Sequence, residues 1–296
     1  MTAAGLPAQD AARDGARDAA PDAALDAKRV RREAIRAVIA KDWLAVRRAK
    51  GVIIPMLVVP ALLLVALPFG LGIGARGADA SNADNLLRHL PGGLGHTLLN
   101  LPANQRIIVL VDGYLLAPLF LIVPLMVASV LAADAFAGEK ERRTLEGLLH
   151  LPVDDRALFT AKVLGAFLPA VAVSWGGFVL FASVVDWVAW PVMHRPLLPT
   201  RLWMVVILWV APAVAALGMG IMVRVSARAR TTQEANQLGG AVVLPLIFAA
   251  VGQATGLLLV TLPVALTLGA VIWLIALMLL ARGASRFTRD RIATRL

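Results

Sequence analysis

A cluster of charged side chains between residues 139 and 146 is the first part of this sequence that could do chemistry. Six of its eight positions are ionisable and nearly cancel in charge: Glu139, Lys140, Glu141, Arg142, Arg143 and Glu146. Leu145, Leu148 and Leu149 follow at i, i+3 and i+4, so they share one helical face, and Pro152 ends the helix. Such a short helix fits the groove of a partner protein, or packs as a juxtamembrane helix on its own bundle.

Catalytic signatures are missing from the sequence. There is no GxxxxGK[ST] phosphate loop, no GxSxG elbow and no HExxH helix. Cysteine is absent, and the histidines at 89, 96, 150 and 194 lack metal-ligand spacing. We therefore predict no catalytic residue, no metal site and no cofactor in this chain, so any energy from ATP must enter through a partner.

Three polar side chains interrupt the apolar parts of the chain. Asp112 and Asp186 lie near the ends of apolar stretches, and Gln253 lies within one. Polar groups at such depth usually face a cavity or another helix, which makes Asp112 and Gln253 candidates for a substrate path. The alternative is that the aspartates reach the membrane interface and that Gln253 serves helix packing.

The elements that must position these residues are membrane helices. Hydrophobic residues make up 59% of 296 positions, charged residues only 16%, and the mean hydropathy is +0.77. A helix needs about 20 apolar residues to cross ~30 Å of hydrocarbon. Six stretches reach that length: 52–74, 107–133, 163–185, 202–223, 238–260 and 262–281. The last two are nearly contiguous, and Pro263 marks the break between them.

Basic residues indicate the orientation of these six spans. With a cytoplasmic N-terminus, the inside segments hold 22 of the 29 lysines and arginines and the outside loops hold five. Both termini are therefore predicted to be cytoplasmic. The fold class is an all-α polytopic membrane protein of six transmembrane helices.

Four regions follow from this division. Residues 1–27 are predicted to be a disordered cytoplasmic tail, since they contain almost no large apolar residue. Residues 28–50 form an amphipathic interfacial helix or an ordinary solvated basic helix. Residues 51–286 form the transmembrane domain, and residues 287–296 a cytoplasmic C-terminal tail. The net charge of +10 does not come with a separate basic module, so nucleic acid is not an expected partner.

The charged cluster resembles a loop of ABC type 2 permeases, the membrane subunits of ATP-binding-cassette exporters. The run Gly138 to Glu146 reads GEKERRTLE, and it is followed by Leu148, Leu149, Pro152 and, before the next span, Lys162. The usual form in that family is GEKERGTLE, then two leucines, a proline and a lysine, so Arg143 replaces a glycine. The stretch 226–240, with Pro245 after it, is similar to the family's second cytoplasmic loop.

The resemblance implies a permease subunit in the bacterial inner membrane that dimerises with a second permease, identical or different. A separate cytoplasmic ATPase subunit, which binds ATP and magnesium, would dock on a coupling helix between Gly138 and Pro152. The residues that this assigns to the ATPase interface, by contact or by bracing the loop, are Glu139, Lys140, Glu141, Arg142, Thr144, Leu145, Glu146, Leu148, Leu149 and Pro152. Membrane lipid and an accessory or periplasmic subunit are further expected partners.

Two other functions remain open at this stage. One is a membrane subunit that relays ATPase motion to a periplasmic or assembly partner without transporting anything itself. The other is an ion-coupled secondary transporter, although the paired discontinuous spans and buried carboxylates typical of that class are not evident. Apolar spans favour a lipid, a hydrophobic compound or a peptide as substrate, with an ion as the alternative.

Overall fold

The structure is a computed structural model in which every regular element of the described residues is helical. It describes residues 33, 58, 60–76, 100–141, 155–229, 231–254 and 261–286. The predicted tails 1–27 and 287–296 lie outside this part of the chain, and so does the predicted helix 28–50 apart from Glu33. Those predictions stay untested.

The described helices fall into six consecutive rods, which we number α1 to α6. Helix α1 joins a π-helical turn, Leu62–Ala66, to an α-helix, Leu67–Arg76. Helix α2 alternates between α-helix and π-helical turns, and at two places a single residue connects consecutive parts. Its parts are Ala103–Leu110, the π-turn Val111–Leu115, Ala117–Phe120, Ile122–Ala133, the π-turn Asp134–Gly138, and Glu139–Glu141.

Helix α3 is one uninterrupted α-helix, Asp155–Met193. Helix α4 consists of Arg201–Val205, the π-turn Val206–Val210 and Ala211–Arg228. Helix α5 consists of Thr232–Gly239, a 3-10 turn Gly240–Val243 and Leu244–Ala254, and helix α6 spans Leu262–Arg286. The break predicted beside Pro263 therefore lies where α6 begins.

Five of these helices are long and apolar enough to cross a membrane: Gln105–Glu141, Asp155–Met193, Arg201–Arg228, Thr232–Gln253 and Leu262–Ser285. The described part of α1 contributes a shorter apolar helix, Leu62–Gly74. The chain is thus an all-helical, multi-pass membrane protein, whereas the sixth crossing and the cytoplasmic position of the termini stay predictions. At ~1.5 Å per residue, α2 and α3 each exceed about 50 Å, well beyond the hydrocarbon thickness.

Helices α2 and α4 form the interior of the bundle. Their most apolar windows are 72% and 67% buried, against 28% for α3 and 17% for α5 and α6. Helix α4 lies between α2 and α6, and α3 packs on α2 and α1. The outer helices display large apolar side chains, among them Val179, Phe248 and Leu274, which a lipid solvent accepts without cost.

Glycines on α4 allow this close packing. A methyl group at Gly218 would come within 2.6 Å of the Leu125 side chain of α2, and one at Gly220 within 2.9 Å of Leu279 on α6. Both distances are too short for real side chains. Small residues at these two positions let α4 approach both neighbours, as small residues do in membrane bundles.

Prolines account for three of the four described π-turns. Pro68, Pro118 and Pro212 each follow a π-turn within two or three residues and cannot donate the backbone hydrogen bond that an α-helix needs. The helix adjusts by locally widening its hydrogen-bond pattern. The fourth π-turn, Asp134–Gly138, has no nearby proline, so its cause must be sought in its side-chain contacts.

Several helix ends differ from the sequence-based boundaries. Helix α3 spans Asp155–Met193 instead of 163–185, and α5 begins at Thr232 instead of Leu238. Helix α2 continues to Glu141 instead of ending near Ala133, and α4 continues to Arg228, with only a short connection before α5 starts at Thr232. Much of the predicted first and second loops is therefore helical. The charged residues at the end of α2 do not end that helix, because groups on α3, α5 and the backbone after α4 bind them.

Candidate functional site: a charged corner joining four helices

The end of α2 meets the ends of α3, α4 and α5 in a polar contact region that we call the charged corner. It comprises Glu139, Lys140 and Glu141 on α2, Lys162 on α3 and Thr232 on α5. The backbone after α4 joins it through Ala229. The structure ends its description of α2 at Glu141 and resumes at Asp155, so the predicted coupling segment begins directly at this corner.

Glu139 and Lys162 form a buried ion pair at the centre of the corner. The Lys162 ammonium group contacts the Glu139 carboxylate, and both side chains are almost wholly removed from the surface. Lys162 also donates to the carbonyl oxygen of Ala135 at 2.9 Å and lies 5.7 Å from the centre of the Phe136 ring. Burying a charge is costly unless it is paired and hydrogen-bonded, and here the partners are present.

The lysine also explains the π-turn that no proline causes. Ala135 lies in the Asp134–Gly138 turn, where the widened backbone presents its carbonyl oxygen to the Lys162 side chain. Helical π-turns often mark functional positions. This one aims both the Ala135 carbonyl and the Glu139 carboxylate at the same ammonium group, so α2 and α3 are tied at one point.

Glu141 binds the first turn of α5. Its Oε2 accepts from the Thr232 backbone N–H at 2.9 Å and from the Thr232 hydroxyl at 3.0 Å. Thr231 caps the same helix by accepting from the Glu234 N–H at 3.1 Å. A carboxylate at a helix N-terminus is favourable because the unpaired N–H groups and the helix dipole both attract negative charge.

Lys140 and Gly138 complete the corner. Lys140 donates to the carbonyl oxygen of Ala229 at 3.1 Å, which ties α2 to the end of α4. A methyl group at Gly138 would lie 2.9 Å from an Asp134 carboxylate oxygen and 3.3 Å from the Thr232 hydroxyl. A side chain here would therefore crowd Asp134 within α2 and, less severely, Thr232 on α5.

The structure thus describes three of the ten residues that the sequence assigns to an ATPase interface. Glu139 is buried against Lys162, Lys140 is half-buried, and Glu141 is exposed. The other seven, Arg142, Thr144, Leu145, Glu146, Leu148, Leu149 and Pro152, lie outside the described residues. Their interface role stays a prediction.

Sequence reasoning missed the partners of this cluster on α4 and α5. Lys162 was visible as the lysine before the third span, but nothing in the sequence pointed to the Ala229 carbonyl, because any residue carries one. Thr232 offered a weak signal. It follows Thr231 at the start of a polar helical stretch, a pattern typical of a helix N-terminus.

Gln253 occupies a structural position. Its Nε2 donates at 2.9 Å to the carbonyl oxygen of Tyr114, which is the acceptor that Pro118 leaves without an α-helical donor. The amide thereby joins α5 to α2. The other end of the amide, Oε1, has no hydrogen-bond partner among the described residues.

The two aspartates have different environments. Asp186 accepts from the backbone N–H groups of Leu197 and Leu198 at 2.7 and 2.9 Å, and so fixes the turn between α3 and α4. Asp112 lies on the π-turn Val111–Leu115, is 0% exposed, and has no partner on either oxygen within the described structure. Its side chain is enclosed within the bundle, and the predicted role of Asp112 and Gln253 in a substrate path stays a prediction.

Metal binding finds no support in the residues that the structure describes, since no three acidic or histidine side chains gather there. The polar groups of the charged corner bind one another and the backbone across helix ends. Its one buried ion pair and its hydrogen bonds connect the base of the 142–154 segment to three other helices.

Comparison with known proteins gives one result. No curated protein matches the chain. The family model described as ABC-2 family transporter protein matches residues 36–263, about three quarters of the sequence, and includes the whole charged corner. Proteins of this family are membrane components of ABC transporters that work with an ATPase partner and are not themselves the ATPase. The resemblance seen in the sequence is therefore confirmed, and the chain belongs to the ABC-2 transporter family.

Proposed function

We propose that this chain is the permease subunit of an ABC exporter in the bacterial inner membrane. A separate cytoplasmic subunit binds ATP and magnesium and hydrolyses the ATP. The permease converts the resulting motion into export of a lipid, a hydrophobic compound, a peptide or an ion. The observation that carries this proposal is the charged corner, together with the family to which the chain belongs.

A permease must transmit force from its ATPase contact to its membrane helices. The predicted contact, residues 142–152, directly follows Glu141. Because Glu139 binds α3, Lys140 binds the end of α4 and Glu141 binds α5, a displacement of that segment acts on four helices together. This supports a role for the corner as the rigid base of a lever.

The ion pair between Glu139 and Lys162 also supports a rigid charged corner. A buried ion pair with a further hydrogen bond holds its geometry, since breaking it leaves an uncompensated charge in a medium of low dielectric. Export requires two arrangements of the bundle, and the lever selects between them when the ATPase subunits close.

The apolar outer faces of the bundle support the proposal that lipid and a second permease bind there. Helices α3, α5 and α6 present wide apolar surfaces, which are suited to lipid and to a second permease, identical or different. The two permeases would enclose the export route between them.

Co-purification tests this function. The tagged chain is isolated from the membranes of its own host into nanodiscs, associated subunits are identified by mass spectrometry, and nucleotide hydrolysis is measured. We expect an ATPase subunit with the wild type and its loss with Glu141→Arg combined with Glu146→Arg, which reverses two charges of the predicted contact.

The matched control is Arg282→Glu, a charge reversal at the same end of the bundle but outside the predicted contact. It should retain the ATPase subunit. A wild-type chain that purifies without any nucleotide-hydrolysing subunit contradicts the proposal. An ATPase that stays bound to the double variant contradicts the assignment of the contact, and a separate periplasmic subunit recovered with the complex favours the relay function.

A further inference from the structure

Asp112 differs from the other buried ionisable side chains of the described residues. It lies about 10 Å along α2 from Gln105, where the membrane-crossing stretch begins. Its side chain is enclosed by α1 and α3, where Gly72 and Val188 are its neighbours. Neither carboxylate oxygen accepts or donates a hydrogen bond within the described structure.

Four other ionisable side chains are described near Asp112 at this end of the three helices, and three of them bind backbone groups. Arg76 on α1 donates from Nε to the Val188 carbonyl at 2.9 Å and from a second guanidinium nitrogen to the same oxygen. Arg106 on α2 donates to the Leu101 carbonyl at 2.8 Å. Asp186 on α3 accepts from two backbone N–H groups, and Tyr114 on α2 lies two residues from Asp112. No contact joins any of them to Asp112 among the described residues.

A charged, unpaired carboxylate in this position is physically unfavourable. No donor or basic side chain of the described residues contacts it, so its burial in the charged form is costly, and such a group is usually neutralised instead. The neutralising species must be a cation that fits the space.

Packing at Gly72 limits the size of that cation. A single methyl group added there would lie 2.5 Å from Val188 Cγ1 and 3.0 Å from Asp112 Oδ2. Because the junction cannot take a methyl group on this side without displacement, it offers no room there for an ammonium group or a hydrated metal ion. A proton on a carboxylate oxygen needs no additional volume.

We propose that Asp112 is a buried proton-binding site at the junction of α1, α2 and α3. In the closed junction the carboxyl group is neutral and carries one proton. When α1 separates from α2 and α3, water reaches the side chain, the O–H bond breaks and the proton passes to water. Binding of the proton therefore favours the closed junction, and higher pH favours the open one.

The proton site itself is tested on the purified chain, and only the opening step rests on the proposed function. Infrared spectra of the full-length wild type in nanodiscs at pH 7 are compared with those of Asp112→Asn. We expect the wild type to show the absorption of a protonated, non-hydrogen-bonded carboxyl group, and the variant to lack it. Asp186→Asn is the matched control and should keep this absorption, because it removes a carboxylate that accepts two N–H groups.

A difference spectrum that shows only the loss of ionised carboxylate overturns the proposal. Failure of Asp112→Asn to fold also counts against it, because asparagine has the shape and neutrality of the protonated acid. A third readout needs no variant: in D2O the wild-type absorption should shift slowly, since the site is closed to solvent, and an immediate shift contradicts burial of the proton.

The opening step is tested on the complex with its ATPase. Cycling with ATP should accelerate the D2O shift at least several-fold over the nucleotide-free complex. An unchanged rate, with the absorption present in the chain alone, rejects proton release on opening and leaves the closed-state site intact. Failure to isolate any ATPase subunit concerns the proposed function and not Asp112.

Discussion

Glu139 and Asp112 are two buried carboxyl groups on the same helix, and their surroundings are opposite. They are separated by 27 residues of α2, about 40 Å along the helix. Both lie at or next to a π-turn. Glu139 has an ammonium group as its partner, whereas Asp112 has neither a donor nor a counter-ion within the described residues.

In the proposed mechanism the two ends of α2 have different tasks. At the Glu139 end, a buried ion pair ties α2 to α3 and stiffens the corner. At the Asp112 end, packing and the hydrogen bonds of Arg76 and Gln105 to backbone carbonyls of α3 hold α1, α2 and α3 together, with no ion pair among the described residues. Opening this junction therefore separates no pair of opposite charges.

Removing the lysine should have the largest effect on stability. Lys162→Met leaves Glu139 buried without its partner, which we expect to cost about 3–5 kcal/mol. Thermal unfolding of the purified variant in nanodiscs measures this loss. The double variant Glu139→Gln with Lys162→Met removes both charges and should recover most of it, and equal losses in the single and double variants would contradict the ion-pair account.

Truncating Glu141 should have a smaller effect on stability but a clear one on coupling. Glu141→Ala removes two hydrogen bonds from Thr232, worth about 1 kcal/mol at this exposed position. We expect ATP hydrolysis by the complex to continue while it no longer drives the helix movement. Gln233→Ala is the control, since it removes an exposed polar side chain from the first turn of α5 and leaves Glu141 and Thr232 unchanged.

Replacing Gln253 should weaken the contact between α5 and α2. Gln253→Leu introduces an apolar side chain of similar size and removes the amide that donates to the Tyr114 carbonyl. The expected loss is about 1 kcal/mol, measured as a fall in the unfolding temperature. A Gln253 that acted on substrate alone would leave the unfolding temperature unchanged.

Asp112→Asn should have the smallest effect on stability. The substitution conserves volume and, if the carboxyl group is protonated, also conserves neutrality, so we expect a change below the ~1 kcal/mol of a lost hydrogen bond. The loss of unfolding free energy in Asp112→Asn is measured beside the loss in Glu139→Gln, so that the two buried carboxyl groups are compared directly. A loss at Asp112 as large as at Glu139 would show that Asp112 carries a charge with a partner.

Much of the fold could be predicted from the sequence, because lipid solvation leaves a strong signal. Runs of about 20 apolar residues marked every described crossing, and Pro263 marked the start of α6. Helix ends were less predictable. The charged run after Ala133 looked like a loop, but Lys162 and Thr232 satisfy its carboxylates and let the helix continue.

The site was predictable only in part, for a similar reason. The charged residues of α2 were evident from their types and spacing, while their partners lie 23 and 91 residues further along the chain. One partner of Lys140 is a backbone carbonyl, which leaves no trace in side-chain patterns. The burial of Asp112 depends on Gly72 and Val188, and no local rule brings these three residues together.

Motion of the ATPase that passes through the charged corner to the helices should be visible as a change of distance across the assembled transporter. The chain has no cysteine, so a spin label placed at Gln237→Cys on the exposed side of α5 is the only label in each permease. In the assembled transporter, the distance between the two labels should change when ATP binds, and Glu141→Ala should abolish that change while hydrolysis continues. A change of the same size in the wild type and the variant, or no change in the wild type, would contradict the account.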